Sequence, residues 1–389
     1  MANLKPGWRR VKFGEVVRLN KETCKNPAAE GIDRYIGLEH LEPGDLRIRS
    51  WGDVSDGTTF TNRVRPGQVL FGKRRAYQRK VAVADFDAVC SGDIYVFEST
   101  NPDRLLPDLL PFLCQTDSFF EYAVGTSAGS LSPRTNWTSL AEYEFALPPM
   151  EEQRRARTVL DAGRMFVDAL RALSASGNLA LRAWLNQLAV GLLSSGPVVP
   201  LSVVLDGSPD SGCSAPARDS ETGYWVLGLS ALSDSGYVDS DYKSVDPTPA
   251  MLSAKLKDGD LLITRSNTRE RVGFVGRFVS DGRDVSFPDT MMRLHPKAGR
   301  VLPDWLELIL QATPIRGAIQ ATAAGTSASM KKINRANLLA VRLPDVSLEI
   351  QREHVRSWHA LRLASIRACE RERQASLLYR RFVAEVLSA

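Results

Sequence analysis

Closely spaced cysteines are missing from this sequence. Its five cysteines (Cys24, Cys90, Cys114, Cys213 and Cys369) are scattered, odd in number and without CxxC spacing. That argues against a disulfide framework and a zinc site and fits a reduced, cytoplasmic compartment. No apolar run approaches the roughly 20 residues a membrane-spanning helix needs. The opening stretch, Met1-Ala-Asn-Leu-Lys-Pro-Gly-Trp-Arg-Arg10, lacks the apolar centre of a secretory signal. The expectation is a cytoplasmic protein without a membrane partner.

Catalytic signatures are equally scarce. No Walker A sequence is present, so nothing points to an ATP-driven motor. The Asn-Pro-Pro-Tyr or Asp-Pro-Pro-Tyr run expected of an amino-methyltransferase is absent as well. Gly273-Phe-Val-Gly276 is too short to imply a nucleotide loop. His354 and His359, five residues apart on a helix, face different directions and make a poor metal pair. No catalytic residue, metal ligand or cofactor site is therefore assigned, although a triad that assembles only in space leaves no sequence trace.

What is present begins with size and charge. A chain of 389 residues suits two domains, and 43% apolar with 24% charged residues describes a folded protein. The net charge is only +5, so its distribution carries more information. Arg63, Arg65, Lys73, Arg74, Arg75, Arg79 and Lys80 crowd between Thr61 and Lys80 with no acid among them. Such a local excess suits phosphate neutralisation.

The chain repeats itself once. Tyr35-Ile-Gly-Leu-Glu-His-Leu41 matches Val226-Leu-Gly-Leu-Ser-Ala-Leu232, and Pro66-Gly-Gln-Val-Leu-Phe-Gly-Lys-Arg74 matches Asp258-Gly-Asp-Leu-Leu-Ile-Thr-Arg-Ser266. Gly125-Thr-Ser-Ala-Gly-Ser130 matches Gly325-Thr-Ser-Ala-Ser-Met330. Leu147-Pro-Pro-Met-Glu-Glu-Gln-Arg154 matches Leu343-Pro-Asp-Val-Ser-Leu-Glu-Ile-Gln-Arg352, so Gln153 and Gln351 head equivalent helices. Four pairs in one order, displaced by 191 to 200 residues, imply duplication. Each half mixes short β-like runs (Gln68–Phe71 and Val81–Ala84; Leu261–Thr264 and Val272–Val279) with a helix-like segment (Leu105–Tyr122; Trp305–Gln320). This reads as an α+β or mixed α/β class.

A long helical segment follows each half. The first runs from about Met150 to Leu193. Val159, Phe166, Leu170 and Leu173 form an early apolar stripe, and Leu181, Trp184, Leu185, Leu188 and Leu192 a later one, with a slackening or break expected at Ser174–Asn178. The second runs from about Ser347 onward, with Val355, Trp358, Leu361, Leu378, Phe382 and Val386 on its stripe. Each spans about 60 Å if continuous, at 1.5 Å per residue. The division follows: 1–148 a first globular domain, 149–194 a central helix, 195–345 a second globular domain, 346–389 a last helix.

The Gly67-Gln-Val-Leu-Phe and Gly259-Asp-Leu-Leu-Ile runs, the two Gly-Thr-Ser loops and the Leu-Pro helix entries, taken in this duplicated order, resemble the specificity subunits of Type I restriction–modification complexes. The resemblance spans essentially the whole chain. The second copy departs from the first where Pro148-Pro149 becomes Pro344-Asp345 and two further residues precede the helix. The resemblance implies two target-recognition domains, each reading one part of a split, asymmetric double-stranded DNA target. It implies an antiparallel coiled coil of the two helices as spacer, with approximate two-fold symmetry. It also implies docking of two adenine methyltransferase subunits and of motor–nuclease restriction subunits. S-adenosylmethionine, ATP and Mg would belong to those partners, with no cofactor on this chain.

Candidate DNA-contacting residues follow from side-chain chemistry. Arg forks onto guanine and Gln onto adenine, which favours Lys73, Arg74, Arg75, Tyr77, Gln78, Arg79 and Lys80 in the first half, and Arg265, Asn267, Arg269 and Arg271 at the same place in the second. Either segment taken alone is equally a solvated turn. The Ser/Thr-rich loops come next: Ser127, Ser130, Ser132 and Arg134, answered by Ser327, Ser329, Lys331 and Lys332. They suit phosphate oxygens and read equally as capped turns. Two other classes stay open: a compact nuclease with a dispersed active site, and a non-catalytic DNA-reading or scaffold subunit of another phage-defence assembly.

Overall fold

The computed structural model describes residues 4–239, 241–324 and 331–387. Two compact units emerge, Met1–Ala172 with Glu370–Ala389 and Leu173–Cys369, both mixed in helix and strand.

In the first unit, Arg9–Lys12 pairs antiparallel with Glu144–Leu147, placing the start of the chain beside the strand that enters the first long helix. The central sheet is antiparallel in the order Val17–Leu19, Ile94–Ser99, Val69–Gly72, Val81–Val83. Val69–Gly72 is buried on both faces, as expected of an apolar run covered on both sides. Phe13, Phe71, Phe97, Phe112 and Phe119 are fully buried around it, with Phe13 packing edge-on to Phe97 at 5.4 Å. Truncating such a residue costs about 3–5 kcal/mol. The helix Asp117–Gly125 begins where the Thr116 hydroxyl accepts the Phe119 N–H. A second sheet contains the parallel pair Arg34–Ile36 and Ala88–Cys90, flanked by Gly52–Asp53 and Asn62–Val64.

The second unit repeats these pairings. Val198–Pro200 pairs with Arg342–Pro344 before the second long helix. The antiparallel sheet runs Asp210–Ser211, Met291–Leu294, Leu261–Thr264, Val275–Arg277, and Tyr224–Leu227 lies parallel to Asp284–Ser286. Gly67 and Gly259, aligned by sequence, both turn the chain at positive φ (86° and 84°) ahead of equivalent central strands. The helices Pro303–Gln311 and Thr313–Ala321 cover the sheet.

The two helix entries are tied by the same device. Gln153 is 1% exposed. Its Oε1 accepts the Leu106 N–H at 2.8 Å, and its Nε2 donates to the carbonyls of Arg104 and Pro148 at 2.9 Å each. Gln351, 3% exposed, accepts the Leu302 N–H at 2.8 Å and donates to Arg300 and Val346 at 3.2 and 3.0 Å.

The long helices span Met150–Ser195 and Leu348–Val386. Within the first unit they run antiparallel: the Tyr379 hydroxyl donates to Leu160 O at 2.8 Å, and Arg171 faces Glu372. Within the second unit they do so again, with Ser174 against Cys369, Asn178 against Ser365, and Trp184 against His354.

Two sequence expectations need correction here. No break occurs at Ser174–Asn178, because these short polar side chains bond across to the facing helix instead of competing with their own backbone. The early stripe of Val159, Phe166 and Leu173 is largely exposed, at 48%, 61% and 55%. The buried positions in this part of the first helix are Gln153, Leu160, Val167 and Ser174, and on the second helix Gln351, Trp358 and Ser365 are buried. Both series step by seven, the period of a coiled-coil seam. The later stripe of Leu181, Trp184, Leu185, Leu188 and Leu192 packs on the second unit's core as expected. The segment Leu105–Tyr122 forms three short helical pieces, Pro107–Leu109, Leu110–Leu113 and Asp117–Gly125.

Candidate nucleic-acid interface

The basic segment of the first unit connects the central strand Val69–Gly72 to its neighbour Val81–Val83. Its first residues, Lys73 to Arg75, are held by the Ser-rich loop and by Asp93. Lys73 N–H donates to Asp93 O at 3.0 Å, Thr135 N–H to Lys73 O at 2.9 Å, and Arg75 N–H to Pro133 O at 2.7 Å. Arg74 and Arg134 form an antiparallel bridge. Two groups of candidates that are some 55 residues apart in sequence therefore share one surface.

Side-chain bonds reinforce this contact. Asp93 accepts from Arg134 Nε at 2.9 Å and from an Arg74 terminal nitrogen at 3.3 Å. The Ser132 hydroxyl accepts from both Arg74 and Arg75 at 3.2 Å. Burial works to raise the Asp93 carboxyl, but the hydrogen bonds and charges of Arg134 and Arg74 outweigh it and hold the carboxyl below its usual range. Lys73 lies 4.6 Å from the Tyr95 ring centroid.

Beyond Arg74 the chain makes a single helical turn, Ala76–Gln78, flanked by Arg75 and Arg79 at φ 55° and 57°. Among the described residues these are the two non-glycine positions with positive φ. Each such conformation costs on the order of 1 kcal/mol or more and persists only when its surroundings enforce it. Ala76, buried, anchors the turn and leaves Tyr77 55% exposed at its tip. Arg79 turns back to Asp117 and to the Gln115 carbonyl and lies over Phe120. Lys80 donates to Leu38 O at 2.6 Å. Arg79 and Lys80 thus brace the turn, whereas Tyr77 projects from it and Arg134 is half exposed beside it.

The Ser-rich loop divides similarly. The Ser127 hydroxyl donates to Ala123 O at 2.7 Å and meets Thr135 Oγ1 at 3.0 Å, which fixes the loop base. Ser130 is exposed at the tip.

The second unit builds the same framework with other side chains. Arg265 N–H donates to Thr290 O at 2.8 Å and Ile333 N–H to Arg265 O at 2.9 Å. Ser266 pairs with Lys332 and Asn267 with Lys331. By these bonds Arg265 stands where Lys73 does, Thr290 where Asp93 does, and Lys332 where Arg134 does. Lys331 answers to Pro133 rather than to Ser132. Asn267 Oδ1 accepts the Thr268 N–H at 2.8 Å to shape the turn, and Arg269 and Arg271 are exposed on it. Ser327 and Ser329 lie outside the described residues. Asp93, Tyr95 and Asp117 escaped the sequence reading, which looked for cations. The one hint to Asp93 was its place in a Ser-Gly-Asp turn leading into an apolar strand.

Comparison with known proteins places this architecture. No family model matches the chain. A curated relative, the Type I restriction enzyme EcoDI specificity subunit of Escherichia coli, is 27% identical over 155 residues, which is 38% of this chain and about a third (32%) of that protein. A solved chain from a study of complex assembly and conformational transition in a type I restriction–modification system superposes with a TM-score of 0.61 at 19% identity, over 100% of both chains. The Type I restriction–modification S subunit from M. genitalium superposes with a TM-score of 0.52 at 12% identity, over 100% of this chain and 98% of that one. The chain therefore has the fold of Type I specificity subunits. Both comparisons bear out the resemblance carried by its duplicated motifs. No helix among the described residues is long and apolar enough to cross a membrane.

Proposed function

We propose that this chain is the DNA-specificity subunit of a Type I restriction–modification complex, with no catalytic activity of its own. Each unit reads one part of a split, asymmetric double-stranded DNA target. The observation that carries this is the duplicated loop pair. One main-chain framework recurs in both units, and it presents Lys73, Arg75, Tyr77 and Arg134 in one and Arg265, Asn267, Arg269, Arg271 and Lys332 in the other. A shared frame with different cationic and amide side chains suits two different half-sites.

The long helices supply the docking surface for two methyltransferase subunits, and the motor–nuclease subunits join that core. In support, the first unit exposes an apolar groove of about 530 Å³ between the helices, lined by Phe166, Leu170, Leu378 and Phe382. Such a face in contact with water is a binding surface by default. S-adenosylmethionine, ATP and Mg belong on the partners, and the complex works in the cytoplasm.

The test is selection from a randomised DNA pool by this chain co-expressed with its methyltransferase, followed by sequencing of the retained DNA. The expected result is a split motif with a fixed unread gap. An assembled complex that retains DNA without a motif at every salt concentration would overturn the reading in favour of a scaffold. Cleavage by the isolated chain would overturn it in favour of a nuclease.

A further inference from the structure

Resting on that DNA-reading role, we infer that Asp93 is a specificity-determining positioning residue: it orients Arg134 to read a guanine in the half-site of the first unit. Arg134 is held through Nε alone, at 2.9 Å from Asp93 Oδ1. Its two terminal nitrogens have no partner among the described residues, and its side chain is 54% exposed. A guanidinium clamped by its inner nitrogen presents the remaining fork as a fixed pair of donors. The guanine edge in the major groove, O6 beside N7, offers the matching pair of acceptors.

The other oxygen of Asp93 explains why this clamp is rigid. Oδ2 takes Arg74, whose second terminal nitrogen reaches Ser132. Arg74 is thus committed to both sides of the loop pair and acts as a strut, leaving Arg134 as the reader. The depressed carboxyl of Asp93 means that the clamp is charged throughout the neutral range. A free, flexible arginine at this place would bind phosphate or any base acceptor. A buttressed one loses less rotamer freedom on binding and discriminates better.

The second unit lacks this device. Thr290 replaces Asp93 and offers only its main-chain carbonyl, to Arg265 and Ser266 at 2.8 and 3.1 Å. Lys332 replaces Arg134, and an ammonium is a point charge without a planar fork. The buttressed fork, and the guanine contact that depends on it, therefore belong to the first unit's half-site.

The test uses the methyltransferase complex and randomised DNA, comparing Arg134→Lys, Arg134→Ala and Asp93→Ala with the unsubstituted chain. The expected result is loss of a guanine preference, on the order of ten- to a hundredfold, at a single position of one half-site in both Arg134 variants, with the other half-site unchanged. Asp93→Ala should relax the same position while binding to scrambled DNA holds or rises, because a negative charge has left the surface. A merely structural Asp93 would instead weaken all sequences alike. Should Asp93→Ala misfold the first unit, the whole first half-site disappears, and Arg134→Lys decides. A split motif whose guanines all survive Arg134→Lys overturns this inference and leaves the DNA-reading role standing. Absence of any motif in the unsubstituted complex overturns both.

Discussion

Replacing Gln153 by Leu removes one side chain that bonds three main-chain groups at the entry to the first long helix. The Leu106 N–H loses its acceptor, and the carbonyls of Arg104 and Pro148 lose a donor, all beside a residue that is 1% exposed. An orphaned buried N–H costs about 1–3 kcal/mol, and carbonyls with two lone pairs cost less. The leucine recovers part of this through its apolar surface. The net expectation is a loss of about 2–4 kcal/mol, or roughly 5–15 °C in the melting of a unit of this size. Gln351→Leu should cost the same within about 1 kcal/mol, because its three bonds go to equivalent places. Scanning calorimetry with urea titration measures both. Gln153→Glu adds a sharper arm, since an ionised carboxylate would face two carbonyl oxygens. Its folded pKa must rise above the usual value near 4.3. The variant therefore keeps stability below that value and loses it as pH climbs through the raised one. A loss under about 1 kcal/mol in either leucine variant, or a Glu variant indifferent to pH between 4 and 8, would refute the assignment of these glutamines as helix-entry clamps.

Three further outcomes are expected. Tyr77→Ala should weaken DNA binding while leaving the melting temperature unchanged, because the ring projects into solvent. Arg79→Ala should cost about 1 kcal/mol of stability by releasing Asp117 and Phe120; binding and melting measured together separate reader from brace. In the second unit, burial works to raise Asp210, yet hydrogen bonds from Arg293 and His295 hold its carboxyl below the usual range. The stability it contributes is present above the unfolded carboxyl pKa and lost as pH falls through the depressed folded value. Urea midpoints from pH 7 to pH 3 should fall less steeply for Asp210→Asn than for the unsubstituted chain, and equal slopes would contradict this.

The duplication was legible because it rests on short local signals. Gly67 and Gly259 are needed at positive φ, and Gln153 and Gln351 are needed as clamps, so both stay at matching places and an order of motifs can be read by eye. The pairing of the long helices within each unit was not legible, because it uses Ser174, Asn178 and Ser365 in the second unit and a tyrosine hydroxyl, Tyr379 on Leu160 O, in the first. A search for apolar periodicity instead followed the exposed Val159, Phe166 and Leu173. The convergence of the basic segment with the Ser-rich loop was hidden for another reason. It depends on main-chain bonds between Lys73, Arg75, Pro133 and Thr135, which place no demand on side-chain identity.

That indifference has an evolutionary consequence. Since the loop pair is fastened by peptide groups, substitutions at Arg75, Tyr77 or Ser130 alter what is presented without unfastening the frame. On the proposed DNA-reading role, new targets would then be acquired by point change or by exchange of a loop, one half at a time. A lineage with such a reader would change the sequences it recognises faster than it must re-engineer the protein that does the recognising.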